Sequence, residues 1–360
     1  MVSLYASTST TTRRRARRAP VRRRRRAYAR PVRRATARRA PSKRFRSTRR
    51  VAPARTLTKY ELANLNPFDQ RVNGVKIPDS NTQPSETTFD ENRITTTIGA
   101  SGFAEVTAFL PNPTVNSVKG VGATATTWTW PAGYGGATAS GNLASLKADF
   151  MGIRPAGHGV RISCPLAPLS VTGFCHVAIV PVETYSQTTW QFPTSVTQML
   201  NLPWYKRYTL ASLTQRSITV VNKFLDATAT RYFDVDSTLV ATSGNVDFHF
   251  SGSWCAIIVA VEGAPVSTNP LTQDTIVHYE GLPTIGSTNN STPAAQYNVN
   301  ELEDVSRIAT NHPGTFEEGQ EDDLISSAMR ELFGVFVPSG TFHGPMGGIQ
   351  GVNTPRLTQQ

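Results

Sequence analysis

FMGIRPAGHGVRISCPLAPLSVTGFCHVAIVPVE, residues Phe150–Glu183, contains two β-strands separated by a short loop. GVRISCPL (Gly159–Leu166) and GFCHVAIVPV (Gly173–Val182) are rich in the β-branched and aromatic residues that fit a pleated, half-buried surface. Pro and Gly between them supply the break, since proline removes a ladder donor and glycine opens turn conformations. Six further segments share this texture: GFAEVTAFLP (Gly102–Pro111), RSITVVNKF (Arg216–Phe224), RYFDVDSTLV (Arg231–Val240), NVDFHF (Asn245–Phe250), WCAIIVAVEG (Trp254–Gly263) and DTIVHYEGL (Asp274–Leu282). Eight short strands, with one brief helical candidate at Thr194–Leu202, predict an all-β antiparallel sandwich or barrel spanning residues 99–287. Pro113–Gly141, dominated by Thr, Gly, Ala and Trp, reads as a long loop insertion after the first of them.

Outward from this domain the text changes twice. Residues 57–98 are rich in Pro, Asn, Asp and Ser and read as a linker, partly ordered along the body. Residues 288–360 form a C-terminal extension with one helix expected near 322–336. Acids at Glu321, Asp322 and Asp323 suit its N-terminus, and Leu324, Ile325, Met329, Leu332, Phe333 and Phe336 supply an apolar face.

The N-terminal 56 residues are different in kind. They hold 20 Arg and one Lys, and the first acid of the chain is Glu61. The rest of the chain has 16 basic residues against all 25 acidic ones, a net of −9 beside an arm of +21. The arm cannot bury a core and its charges repel, so it is expected to be disordered when free. Arg13, Arg14, Arg15, Arg17, Arg18, Arg22, Arg23, Arg24, Arg25, Arg26, Arg30, Arg33, Arg34, Arg38, Arg39, Lys43, Arg44, Arg46, Arg49 and Arg50 are the candidate nucleic-acid-binding residues. Guanidinium forks pair with phosphates and release counterions, which gives salt-sensitive binding without sequence preference. The same residues suit a nuclear-import receptor as a second partner. Polyarginine does not distinguish DNA from RNA, because both present the same phosphates.

Composition narrows the remaining classes. No apolar run approaches the ~20 residues of a membrane-spanning helix, and MVSLYASTSTTT lacks the pattern of a secretory signal. Pro20, Pro31, Pro41 and Pro53 keep the arm from forming the single amphipathic helix of a transit peptide. Cys164, Cys175 and Cys255 sit among apolar residues without a CxxC pair and read as reduced core thiols. His158, His176, His249, His278, His312 and His343 are scattered, with no HExxH, GxSxG or phosphate-loop pattern. No enzymatic activity is expected.

The stretch Phe150–Glu183 also resembles two strands, expected to pair, of small-virus coat proteins: an Arg, then a G-hydrophobic-R-hydrophobic strand, a loop, and a Gly-led strand ending in Pro. TSVTQMLNLPWYKRYTL (Thr194–Leu210) resembles the helix and Leu-Pro element that follows in those coats. WCAIIVAVEGAPVST (Trp254–Thr268) and IVHYEGLPT (Ile276–Thr284) resemble their last two strands. The similarity is to nodavirus-like and tombusvirus-like coats, and to those of small single-stranded DNA viruses such as the bacilladnaviruses. It implies an eight-stranded jelly roll whose copies tile a T=3 icosahedral shell, with the arm packaging single-stranded DNA or RNA inside a virion assembled in the nucleus or cytoplasm.

Two further expectations come with that resemblance. Related shells hold Ca²⁺ between subunits, and Asp234 and Asp236, with Asp247 nearby, offer oxygen ligands of that kind. Nodavirus coats cut themselves at an Asn near the C-terminus; Asn311-His312 and Asn353-Thr354 are poor matches to that junction, so a self-cleaving precursor is the lesser alternative. The rival class is a non-viral nucleic-acid-binding β-sandwich resembling an RNA chaperone. That class calls for basic residues and aromatics continuing onto the body, whereas this body is net acidic.

Overall fold

The computed structural model describes residues 56–132, 136–182, 190–233, 253–285, 291–311 and 314–333. In chain order its elements are α1 (Lys59–Ala63), a 3-10 turn (Gln70–Val72), β1 (Glu86–Thr96), β2 (Glu105–Phe109), β3 (Ser117–Gly122), β4 (Trp128–Thr129), β5 (Ala137–Thr138), α2 (Leu143–Asp149), β6 (Phe150–Ser163), β7 (Phe174–Pro181) and α3 (Val196–Leu200). Then come β8 (Tyr205–Thr209), α4 (Leu210–Leu213), β9 (Ile218–Val221), a second 3-10 turn (Ala227–Thr230), β10 (Cys255–Glu262), β11 (Leu271–Pro283), α5 (Val299–Asn311), β12 (Thr315–Glu317) and α6 (Glu321–Phe333).

The pairing is nested. β1 runs antiparallel to β11, β2 to β10, β6 to β9 and β7 to β8. Rolling that nest up gives two sheets, one ordered β1-β11-β6-β9-β12 and the other β4-β3-β2-β10-β7-β8, with β5 added beside β3. This is the double Greek key of a jelly roll.

Side-chain alternation assigns three apolar layers. Odd-numbered residues of β7 (Cys175, Val177, Ile179) and β10 (Cys255, Ile257, Val259, Val261) meet Val160, Ile162, Ile218 and Val220 of the opposite sheet. Even-numbered partners on the same strands, Ala178, Val180, Ala256 and Ile258, face a lid containing Trp128, Trp130, Trp190 and Phe192. The indole N–H groups of Trp128 and Trp130 both donate to the Pro193 carbonyl, at 2.7 and 2.8 Å, so the buried rings leave no donor stranded. On the outside of the five-stranded sheet, Tyr60, Leu62 and Ala63 of α1 pack with Val305 of α5, Ile325 and Met329 of α6, and Ala156 of β6.

Several sequence expectations need correction. β1 lies within the expected linker: ETTFDENRITT buries only Asp90, Ile94 and Thr96, too few positions for a strand pattern to stand out. The two strands of Phe150–Glu183 do not pair with each other. β6 pairs with β11 and β9, whereas β7 pairs with β10 and β8, so their loop crosses from one sheet to the other. Pro113–Gly141 is not wholly loop, since it holds β3, β4 and β5. β8, KR-bearing and polar, and the thirteen-residue α5 had no counterpart in the sequence reading. The helices expected at Thr194–Leu202 and 322–336 appear as α3, capped by the Ser195 side chain, and α6. Of RYFDVDSTLV only Arg231–Phe233 is described, Phe233 bridging to Ile153; NVDFHF lies outside the described residues.

Candidate functional site

All the candidate nucleic-acid-binding residues from Arg13 to Arg50, and the candidate cation ligands Asp234, Asp236 and Asp247, lie outside the described residues. What the structure describes is the root to which the arm is attached. Thr58 begins α1 with a reciprocal cap: its backbone N–H donates to Glu61 Oε2 at 2.7 Å, and the Glu61 N–H donates to Thr58 Oγ1 at 3.2 Å. That box fixes the chain's entry into the fold. α1 then buries Tyr60, Leu62 and Ala63 against the α5, α6 and β6 side chains already named. The root of the arm and the C-terminal helices thus share one face of the five-stranded sheet.

A buried ionic cluster ties the next stretch down. Arg154 on β6, 1% exposed, pairs with Glu280 of the adjacent β11 at 2.8 Å and with Asp79 from the segment before β1. It also donates to the Thr230 carbonyl at 2.8 Å and lies 4.2 Å from the centroid of the Tyr232 ring. Burial pulls the guanidinium pKa down, but its hydrogen bond with Asp79 and the charge of Glu280 outweigh burial and hold it above its ordinary value. Glu280 accepts from the Ile77 N–H at 2.9 Å and the Ser85 hydroxyl at 2.6 Å. Lys76 donates to the carbonyls of Ser85, Thr292 and Pro293 at 2.8–2.9 Å. Residues 76–85 are therefore held by charge-assisted bonds to the sheet and to the segment leading into α5.

The C-terminal helices are bolted on separately. Lys223, just after β9, donates from Nζ to the Ala309 carbonyl at 2.7 Å, near the end of α5, where a cation meets the negative pole of the helix. Its ammonium lies 5.0 Å from the Trp204 ring, and burial brings its pKa down to about 8. Gly314, at φ +70°, passes so close that an added Cβ would meet Ile179 Cδ1 at 2.9 Å and Lys223 Cε at 3.2 Å.

The histidines are built into the sheets. His158 contacts Asn222 Nδ2 through Nδ1 at 2.8 Å and Thr275 Oγ1 through Nε2 at 3.3 Å, and burial brings its pKa down to about 3. His278 meets the Pro67 carbonyl at 2.7 Å, and burial lowers its pKa as well. His176 lies 2.8 Å from the Tyr205 hydroxyl and 3.0 Å from Glu262; burial outweighs that carboxylate and lowers its pKa. His249, His312 and His343 lie outside the described residues. Cys164, Cys175 and Cys255 are free thiols in the core, and burial pushes Cys255 up to about 12. Among the described residues no three His, Cys, Asp or Glu side chains gather as a metal site. None of the described helices is long and apolar enough to cross a membrane.

Nested strand pairs, two facing sheets and a helical layer outside one of them define the fold of the described residues as a jelly roll. No family model and no curated protein sequence matches it. Among solved structures it is similar to a variant VP2 protein of infectious bursal disease virus in derived T=1 particles: TM-score 0.52 and 8% identity, over 81% of this chain and 98% of that one. It is likewise similar to a chain of the T13 viral particle of that virus, with TM-score 0.50 and 8% identity over 76% and 96% of the two chains. At that identity the likeness is one of fold.

Proposed function

We propose that the chain is the structural coat subunit of a small icosahedral virus, assembling with copies of itself around a single-stranded genome. The observation that carries this reading is the union of two opposite parts in one chain: a +21 arm and a net −9 body with the jelly-roll fold. The body closes the shell through its edges and loops, and the arm neutralises the genome from within. The arm's root lies on the helical face of the five-stranded sheet, so that face is the inner one. In a T=3 shell of about 180 copies the arms carry about 3,800 positive charges, which offsets a genome of several thousand phosphates. The arm also serves as a nuclear-import signal for coats assembled in the nucleus. Asp234 and Asp236 bind Ca²⁺ at a junction between subunits.

The test is electron microscopy of purified full-length protein, with nuclease-protected nucleic acid extracted from the same fractions. Closed shells holding protected single-stranded cargo are expected, and sequencing that cargo identifies DNA or RNA. Removing residues 1–56 should leave a folded body with no protected cargo. Small soluble oligomers whose nucleic acid is fully open to nuclease would instead support the binding-module class.

A further inference from the structure

The face of β1 that points between the sheets carries a carboxylate. Even-numbered residues of this strand turn inward, Ile94 into the layer shared by the two sheets and Asp90, 2% exposed, further along. Asp90 Oδ1 accepts from Asn142 Nδ2 at 3.1 Å, and the Ser140 hydroxyl hydrogen-bonds to the same carboxylate. Asp90 Oδ2 is buried and has no hydrogen-bond partner among the described residues. Its surroundings are apolar: Val277, opposite Asp90 in the ladder, packs with Leu146, Phe150 and Ile153. A carboxylate oxygen left so is among the costliest groups a fold can bury. Burial accordingly raises the Asp90 pKa, against the two hydrogen bonds that lower it.

Three neighbouring groups share that lack. Tyr279 lies opposite Thr88, which makes Asp90 its diagonal neighbour on one face of the β1–β11 ladder. Its hydroxyl is buried without a partner among the described residues, and the Asp90 charge acts on it. Ser117 comes from the facing sheet: its ladder partner Phe109 lies in the layer between the sheets, so Ser117 points there too. Residues 137–142 link the two sides. Thr138 pairs with Ser117 and accepts from the Asn116 N–H at 2.9 Å, the Ser140 N–H donates to the Pro113 carbonyl at 2.8 Å, and Ser140 and Asn142 then reach Asp90. The Ser117 hydroxyl and both side-chain amide atoms of Asn116 are likewise buried without partners among the described residues.

We propose that Asp90 anchors a buried site for a hard cation, Ca²⁺ by preference, with the oxygens of Tyr279, Ser117 and Asn116 as its neutral ligands. The balance of acceptors and donors selects that occupant. The unpartnered atoms are four oxygens and a single nitrogen. A proton on Asp90 would serve that carboxyl alone, and a water brings only two protons, whereas a cation meets all four oxygens. One carboxylate among neutral oxygens is a hard-ion set, without the His or Cys ligands that a transition metal takes. Mg²⁺ keeps several waters about it, while Ca²⁺ accepts an irregular all-protein shell. The site uses one chain only and none of Asp234, Asp236 and Asp247, so it does not depend on assembly. Bound there, the ion ties the edge strand β1 to residues 137–142 and to the opposite sheet.

The test takes full-length protein carrying Asp234→Asn and Asp236→Asn as its reference, which removes any ion held by those two residues. Thermal melts are run in chelator and in Ca²⁺, and Tb³⁺ emission excited through tyrosine reports an ion beside Tyr279. We expect Ca²⁺ to raise the melting temperature of the reference by several degrees and to displace Tb³⁺. Adding Asp90→Asn should weaken Ca²⁺ binding by about tenfold or more. It should not lower the melting temperature in chelator, because the amide removes the uncompensated charge. Tyr279→Phe takes one hydroxyl from a buried ring and should lower both Tb³⁺ emission and Ca²⁺ affinity while keeping the fold. A reference that responds to neither ion overturns the proposal, as does an Asp90→Asn variant that responds as the reference does. If that variant loses the same stability in chelator as in Ca²⁺, Asp90 is a hydrogen-bonding group only and the proposal fails. Should Asp90→Asn not fold, Tyr279→Phe decides alone, and undiminished Ca²⁺ affinity there overturns the site.

Discussion

His158 is the residue at which pH acts most directly on the body. It is held neutral between Asn222 and Thr275, with its pKa brought down to about 3. The unfolded chain protonates an imidazole near pH 6.5 and the folded one does not. Stability is therefore complete above about pH 6.5 and is lost as pH falls towards 3, by up to about 1.4 kcal/mol per pH unit for each such histidine. His176 and His278 are shifted the same way and steepen the loss. Thermal melts of wild type and His158→Gln across pH 4–7 should show a shallower pH dependence in the variant. An unchanged slope would move the effect to the carboxylates. Asp234 and Asp236 belong to the same scale. Changing both to Asn should abolish any Ca²⁺-dependent rise in particle melting temperature, and an unaltered response to chelator in that variant would rule out those two ligands.

Among the elements, α5 is tied near its C-terminal end by one lysine, beside its apolar packing through Val305 and Ile308. Lys223→Met keeps the length of the side chain but loses the bond to the Ala309 carbonyl and the cation at the helix end. The expected cost is about 1–3 kcal/mol, read as lowered hydrogen-exchange protection across 299–311 with β7 and β10 unaffected. A uniform loss of protection would mean that helix and sandwich unfold as one. The elements also divide by how legible they were. β7 and β10 stood out because both their faces are buried, leaving a continuous apolar run. β1 and β8 did not: β1 borders one sheet and β8 the other, and YKRYT keeps no residue fully buried. In α5 the buried Val305 and Ile308 are outnumbered by acids and amides, and two of its acids, Glu301 and Asp304, are themselves buried. The arm was read from charge alone, and its arginines lie outside the described residues. The cluster of Asp79, Arg154 and Glu280 was not, because its members are some 75 and 126 positions apart and only the folded sheets bring them together.

For the whole molecule, the division of charge between arm and body bears on the proposed binding of nucleic acid through its response to salt. If the arm alone binds the genome, oligonucleotide affinity should fall linearly with the logarithm of salt concentration, with a slope of about −0.7 per phosphate neutralised. Replacing half of the arm's arginines with glutamine should roughly halve that slope in fluorescence-anisotropy titrations, and an unaltered slope would place the phosphate contacts on the body.

Nested pairing has a consequence for timing. Glu86 is matched to Gly281 and Thr96 to Leu271, so the first strand waits for the eleventh before either edge of that ladder exists. Contacts this distant in sequence close slowly, because the intervening chain loses its freedom before the pairing compensates for it. In the proposed coat, a growing polypeptide would hold its cationic end free for nucleic acid, DNA or RNA, long before its β-sheet edges were complete. Capture of a strand of nucleic acid would then come first and closure of the shell last, an order written into the topology of the chain.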